Sequence, residues 1–154
     1  MGASYEINRE RCFLSIRLAD KVDSGELHSL MDRVIADPSL GPVQGVIADL
    51  SEETRVGAID RALAALPRLI LMMGHLQTSH LAAISTRPAQ IGVLNLLSVH
   101  ARQKGVLINQ VRSRRDAEIW LEQRSGQPLG PNRGRHRSRV CVETARKNGG
   151  DPKP

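Results

Sequence analysis

Asp49 has the strongest claim to chemistry in this chain. It closes an apolar strand-like run, Val43 to Asp49, and open α/β sheets gather ligands and reactive groups at the carboxyl ends of their strands. A phosphate-accepting aspartate at such a position needs further acids to hold Mg²⁺. The first long strand ends Leu18-Ala19-Asp20-Lys21, with one acid only. Asp49 is therefore expected to hold the Ser51–Thr54 loop through hydrogen bonds to its amides. His75 and His80 flank a helix-to-strand connection at a spacing that matches no metal signature, and they read as solvated turn histidines. His28 and His100 fall on helices at or beyond the margin of the apolar stripe, where partial exposure is expected. Cys12 lies in a strand-like run and Cys141 far along the chain, so neither a disulfide framework nor a metal site is expected, and a reduced, cytoplasmic setting fits. No glycine-rich turn opens a helix as a phosphate cradle would. No nucleophile is supplied with a base, so no catalytic residue, metal or cofactor is assigned, and the chain reads as a non-enzyme.

The elements that would position these residues are well marked. Ser4–Asn8 and Cys12–Leu18 read as a hairpin at a sheet edge, the second strand alternating Cys12, Leu14, Ile16 and Leu18 against a more polar face. Asp23 with Glu26 three residues on forms a capping-box pattern, and Leu27, Leu30, Met31, Val34 and Ile35 follow as one helical stripe. Val46-Ile47-Ala48 lacks alternation, as suits a strand covered on both faces. A second helix is expected from about Ala58 to Met73. Pro67 inside it removes a backbone hydrogen bond at a cost of roughly 3 kcal/mol, which predicts a kink or break near Leu63–Leu66. Leu81–Ser85 is a third core strand, Pro88 opens a helix that Gly105 stops, Val106–Val111 is the last strand, and Ser113 caps a final helix that buries Ala117, Trp120 and Leu121. Strand and helix alternate after the hairpin, so the fold class is α/β, with a mixed, mostly parallel sheet of about five strands and about four helices.

Charge separates a body from a tail. Residues 124–154 carry eight Lys/Arg against Glu143 and Asp151, which accounts for the whole net charge of +6, whereas residues 1–123 carry fourteen of each sign. One domain, 1–123, is expected, with a disordered basic tail, 124–154, whose Gly, Pro and Asn content suits a solubilising extension. Nonspecific attraction of that tail to nucleic acid or anionic lipid is the less favoured reading. Tyr5, Phe13 and Trp120 are the only aromatic residues, too few for base-stacking platforms or a cation cage. No signal peptide or membrane-spanning run is expected.

The body, roughly residues 4–123, resembles the sulfate-transporter and anti-sigma-factor antagonist (STAS) superfamily, in particular the bacterial SpoIIAA-like proteins. The resemblance lies in the opening Tyr5-Glu6-Ile7 through Leu14-Ser15-Ile16-Arg17-Leu18, the helix start Ser24-Gly25-Glu26-Leu27, the strand end Ile47-Ala48-Asp49-Leu50-Ser51, and the closing Asp116-Ala117-Glu118-Ile119-Trp120-Leu121. Regulated members of that family carry a phosphorylated serine in an Asp-Ser-Ser-Gly motif after the Asp-Leu-Ser strand end. Here Gly57 stands at the motif's aspartate and Ala58 at its phosphoacceptor. A methyl group accepts no phosphoryl group, so the resemblance implies an interaction module without that switch, Ser51 and Thr54 being the nearest hydroxyls. The family's interaction surface maps onto Asp49, Ser51, Thr54, Val56, Ile59 and Leu63, and implies an unidentified protein partner. The alternative is a carrier or sensor of an apolar small molecule or lipid, using Leu66, Ile70 and Met73. The apolar run Leu66–Met73 also leaves a homodimer contact open.

Overall fold

The computed structural model describes residues 2–19, 22–51 and 59–125. Five strands and four helices follow one another as β1 (Ala3–Asn8), β2 (Phe13–Leu18), α1 (Ser24–Ala36), β3 (Gly45–Asp49), α2 (Ile59–His75), β4 (His80–Ile84), α3 (Pro88–Gln103), β5 (Leu107–Val111) and α4 (Arg114–Ser125). The strands lie in the sheet in their sequence order. β1 runs antiparallel to β2, and β2 to β5 are mutually parallel, in the register Leu14↔Val46, Val46↔Leu81 and Leu81↔Ile108. Right-handed crossovers that all step in one direction set their helices on one face of the sheet. α1, α2 and α3 accordingly pack side by side there, and α4 crosses the other face over β3 and β4.

Two cores result. Leu14, Leu30, Val34, Val46, Met72 and Leu76 are centres of the larger one, beneath α1 to α3. Phe13, Ile47, Ala82, Val111, Ala117 and Leu121 make up most of the smaller one beneath α4. Val46 and Ile47, adjacent in β3, are both fully buried on opposite faces, as the unbroken apolar run predicts. β2 departs from expectation. Its supposedly polar face is covered at Phe13, fully buried, and at Ser15, nearly so, while Arg17 stays exposed; Phe13 packs with Ala117 and Leu121 of α4, and Arg114 donates to the Ser15 hydroxyl at 2.7 Å. Cys12 sits just before the strand in the left-handed region (φ 63°). It takes part in a disulfide, which corrects the expectation of a reduced thiol at this position; Cys141 lies outside the described residues.

Local chemistry explains the helix boundaries. The Asp23 carboxylate accepts the Glu26 N–H at 2.8 Å and caps α1; the Glu26 carboxylate accepts the backbone N–H of Gly2 at 3.1 Å. Pro88 occupies the first turn of α3, and Gly105, at φ 84°, ends it in a conformation that a Cβ would strain. Ser113 caps α4 by accepting the Asp116 N–H at 3.1 Å. α2 runs through Pro67 without the predicted break. Pro67 lies on the exposed side, where solvent can replace the missing donor. None of the helices among the described residues is long and apolar enough to cross a membrane.

One hydrogen bond ties β1 to the end of α1. The Tyr5 hydroxyl donates to Asp37 Oδ2 at 2.7 Å, and Asp37 Oδ1 accepts the Ser39 hydroxyl and N–H at 2.6 and 2.9 Å. The Ser39 hydroxyl foremost, and then that of Tyr5, hold the Asp37 carboxyl below its ordinary range. Burial, and then the bond to Asp37, push the Tyr5 phenol above its own. The Asp37 contribution to stability is present above the unfolded carboxylate range, about pH 4, and is lost as pH falls through the lower folded value. The Tyr5 contribution is present below about pH 10 and is lost as pH rises through the higher folded value. Tyr5→Phe is therefore expected to cost about 1 kcal/mol near neutrality, moderated by partial exposure. Urea unfolding of both proteins across pH should show that difference shrinking at both extremes; a constant difference would exclude the linkage.

Candidate functional site

The carboxyl ends of the parallel strands form one edge of the molecule. β3 delivers Asp49 there, half-buried, with Arg17 and Ile84 as its register partners on β2 and β4. Asp49 Oδ1 accepts both the Ser51 N–H at 2.9 Å and the Ser51 hydroxyl at 2.6 Å. This is the loop-fixing turn expected from sequence, formed because an aspartate reaches the backbone two residues on without strain. Leu50 N–H continues the sheet by donating to Ile84 O at 3.0 Å.

Beside this turn lies a polar network with no counterpart in the sequence expectations. The Ser85 hydroxyl, fully buried at the end of β4, donates to Gln90 Oε1 at 2.5 Å. The Gln90 amide in turn reaches Leu50 O at 3.4 Å, and the Gln110 amide donates to Ser85 O at 2.5 Å. Three strand ends are thereby joined through the first turn of α3. The available signal was slight: a serine directly after an apolar strand, and a glutamine within the otherwise apolar first seven residues of a helix.

The other anticipated residues divide between places. Thr54 and Val56, with Gly57 and Ala58, lie outside the described residues; Ile59 begins α2, and its side chain is likewise outside them. Leu63 is half-buried on α2 and Ser51 is exposed. Leu66 and Met73 are buried in the larger core, and Ile70 packs against it. Among the described side chains of this helix, the large apolar one that is exposed is Leu71, 62% accessible. Of the histidines, His75 and His100 are exposed. His80 is not a solvated turn residue: it opens β4 and meets the Trp120 ring edge-on at 5.7 Å. His28 is half-buried, and its Nε2 is shielded with no hydrogen-bond partner among the described residues. Among the described residues, no three His, Cys, Asp or Glu side chains cluster as metal ligands would.

No protein-family model matches this sequence, and no curated protein matches it closely. Its structure is similar to the crystal structure of an uncharacterized protein of the DUF3478 family with a SpoIIAA-like fold from Shewanella loihica PV-4. The TM-score is 0.51 at 18% identity, covering 77% of this chain and 91% of that one. At that identity the likeness speaks for architecture alone. The antiparallel opening hairpin, the four parallel strands in sequence order and the four helices agree with it, and the described residues have a SpoIIAA-like α/β fold.

Proposed function

We propose that this protein is a noncatalytic, regulatory interaction module that binds a protein partner at the corner between β3 and α2, through Asp49, Ser51, Thr54, Val56, Ile59 and Leu63. The observation that carries this reading is the engagement of the polar groups at the strand ends. Asp49 Oδ1 is occupied twice by Ser51, and the Ser85 hydroxyl is buried against a glutamine, which is no general base. Strand ends so fixed offer a preorganised platform and, among the described residues, no activated nucleophile. With alanine at the position of the phosphoacceptor, binding at this corner is constitutive and not switched by serine phosphorylation.

Native mass spectrometry of the full chain after incubation with bacterial lysate tests this. A stoichiometric protein adduct is expected, and it should be lost in Asp49→Ala and in Leu63→Lys while thermal unfolding stays cooperative. A copurifying lipid, retained in both variants and lost on changing Ile70, would instead support the apolar carrier.

A further inference from the structure

Among the described residues β5 is an edge strand, with β4 on one side and no strand on the other. In its parallel pairing Leu107 N–H donates to Ser79 O at 2.7 Å, and Val111 O accepts the Ser85 N–H at 3.0 Å. Leu107, Asn109 and Val111 thus turn their backbone groups toward β4. By the alternation of a parallel ladder, the N–H and C=O of Ile108 and Gln110 point outward. Such a row is a template for another strand. Beside it lies a cleft of about 110 Å³ lined by Ser98 and Arg102 of α3, by Leu107 to Asn109 of β5, and by Trp120 and Arg124 of α4. Because α3 and α4 cover opposite faces of the sheet, the cleft straddles the edge, with one arginine on either side.

Its charge selects an occupant. Residues 102–124 carry six basic side chains against three acidic ones. Two of those acids, Glu118 and Glu122, already pair with Arg11, and Glu118 with Arg114 as well. Arg102 is exposed. Arg124 is also exposed, with its guanidinium 5.7 Å from the Trp120 ring. A second copy pairing edge to edge would bring this basic rim against itself, and the chain beyond Arg124 is basic too, so neither fits.

We propose that the β5 edge is a docking groove for an extended acidic segment of another protein, which adds as a sixth strand. Its outward-facing amides and carbonyls pair with those of Ile108 and Gln110. Successive side chains of a strand point to opposite faces, so two adjacent acids in the segment meet Arg102 on one face and Arg124 on the other. The backbone supplies most of the affinity, and the arginines select for acidity. This groove lies two strands away from the β3–α2 corner and stands or falls independently of it.

Trp120 is the sole tryptophan, so its fluorescence reads the groove directly. The full chain would be titrated with a blocked octapeptide of valine and threonine carrying a central Asp-Glu pair, and with the same peptide carrying Asn-Gln. The acidic peptide is expected to change Trp120 emission saturably, to bind about tenfold more tightly than the neutral one, and to slow amide exchange at Ile108 and Gln110. Arg102→Gln and Arg124→Gln should each weaken it about two- to fivefold, with unfolding temperature unchanged because both side chains are exposed. Equal affinity for the two peptides overturns the proposal. So does exchange protection at other strands only, or the same Trp120 response to sodium acetate without protection of those two amides.

Discussion

Leu121→Ala is expected to lower the unfolding free energy by about 2–5 kcal/mol, the range for a fully buried leucine whose loss leaves a cavity. Leu121 is wholly inaccessible and lies in the smaller core, where α4 is the one helix described on that face of the sheet. Across from it is Gly45, the first residue of β3. A Cβ placed on Gly45 would stand 2.5 Å from Leu121 Cδ2 and 3.1 Å from Cδ1, closer than packed carbons tolerate. The glycine is therefore required by the leucine. Gly45→Ala should cost about 1–3 kcal/mol in the natural protein, toward the low end because the leucine tip can rotate. In the Leu121→Ala background the obstructing atoms are gone, the new methyl occupies part of the cavity, and the entropic penalty of a strand glycine, about 0.5–1 kcal/mol, is relieved. Gly45→Ala should then stabilise. Urea midpoints of the two single variants and the double variant measure this reversal of sign. An unchanged cost of Gly45→Ala in both backgrounds would mean that α4 does not pack across β3 as described.

Features set by neighbours in sequence were legible, and features set by register were not. The Asp49–Ser51 turn, the Asp23 and Ser113 caps, Pro88 at the start of α3 and Gly105 at its end each depend on two to four consecutive residues. Local rules anticipated every one of them. The burial of Ser15 in β2 escaped, because Ser15 looks like a solvent-facing residue until α4, nearly a hundred residues later, brings Arg114 to its hydroxyl. The capping box was half right for the same reason: Asp23 caps as expected, while the Glu26 carboxylate accepts the N–H of Gly2, which the hairpin returns to the helix start. Leu66 and Met73 could be read from sequence as either core or contact surface, and their burial follows from the rotation of α2 against the sheet. The β5 groove could not be foreseen, since its two arginines sit on helices covering opposite faces of the sheet.

The polar network at the strand ends yields the second large effect. Ser85→Ala is expected to cost about 1–3 kcal/mol, because Gln90, 6% accessible, loses the hydroxyl that satisfies its carbonyl oxygen and cannot replace it with water. Gln90→Met should cost a similar amount by leaving the Ser85 hydroxyl, at 0% accessibility, without its acceptor. Removing both partners leaves neither orphan. The double variant is thus expected to be more stable than the sum of the single losses by about 1 kcal/mol or more, the behaviour of directly bonded buried groups. Additive losses in the unfolding free energies would show that the bond contributes nothing. A consequence for the proposed binding corner follows, because Gln90 also reaches Leu50 O, and Leu50 lies between Asp49 and Ser51. Loosening Gln90 removes one of the restraints on that turn, so Ser85→Ala should speed hydrogen exchange at Leu50 N–H, which donates to Ile84 O, relative to the amides in the middle of β3. Partner binding at Asp49 and Ser51 should weaken in the same variant even though Ser85 itself is inaccessible. A nucleophilic serine would predict the opposite pattern: catalysis lost, with exchange at Leu50 and partner affinity unchanged.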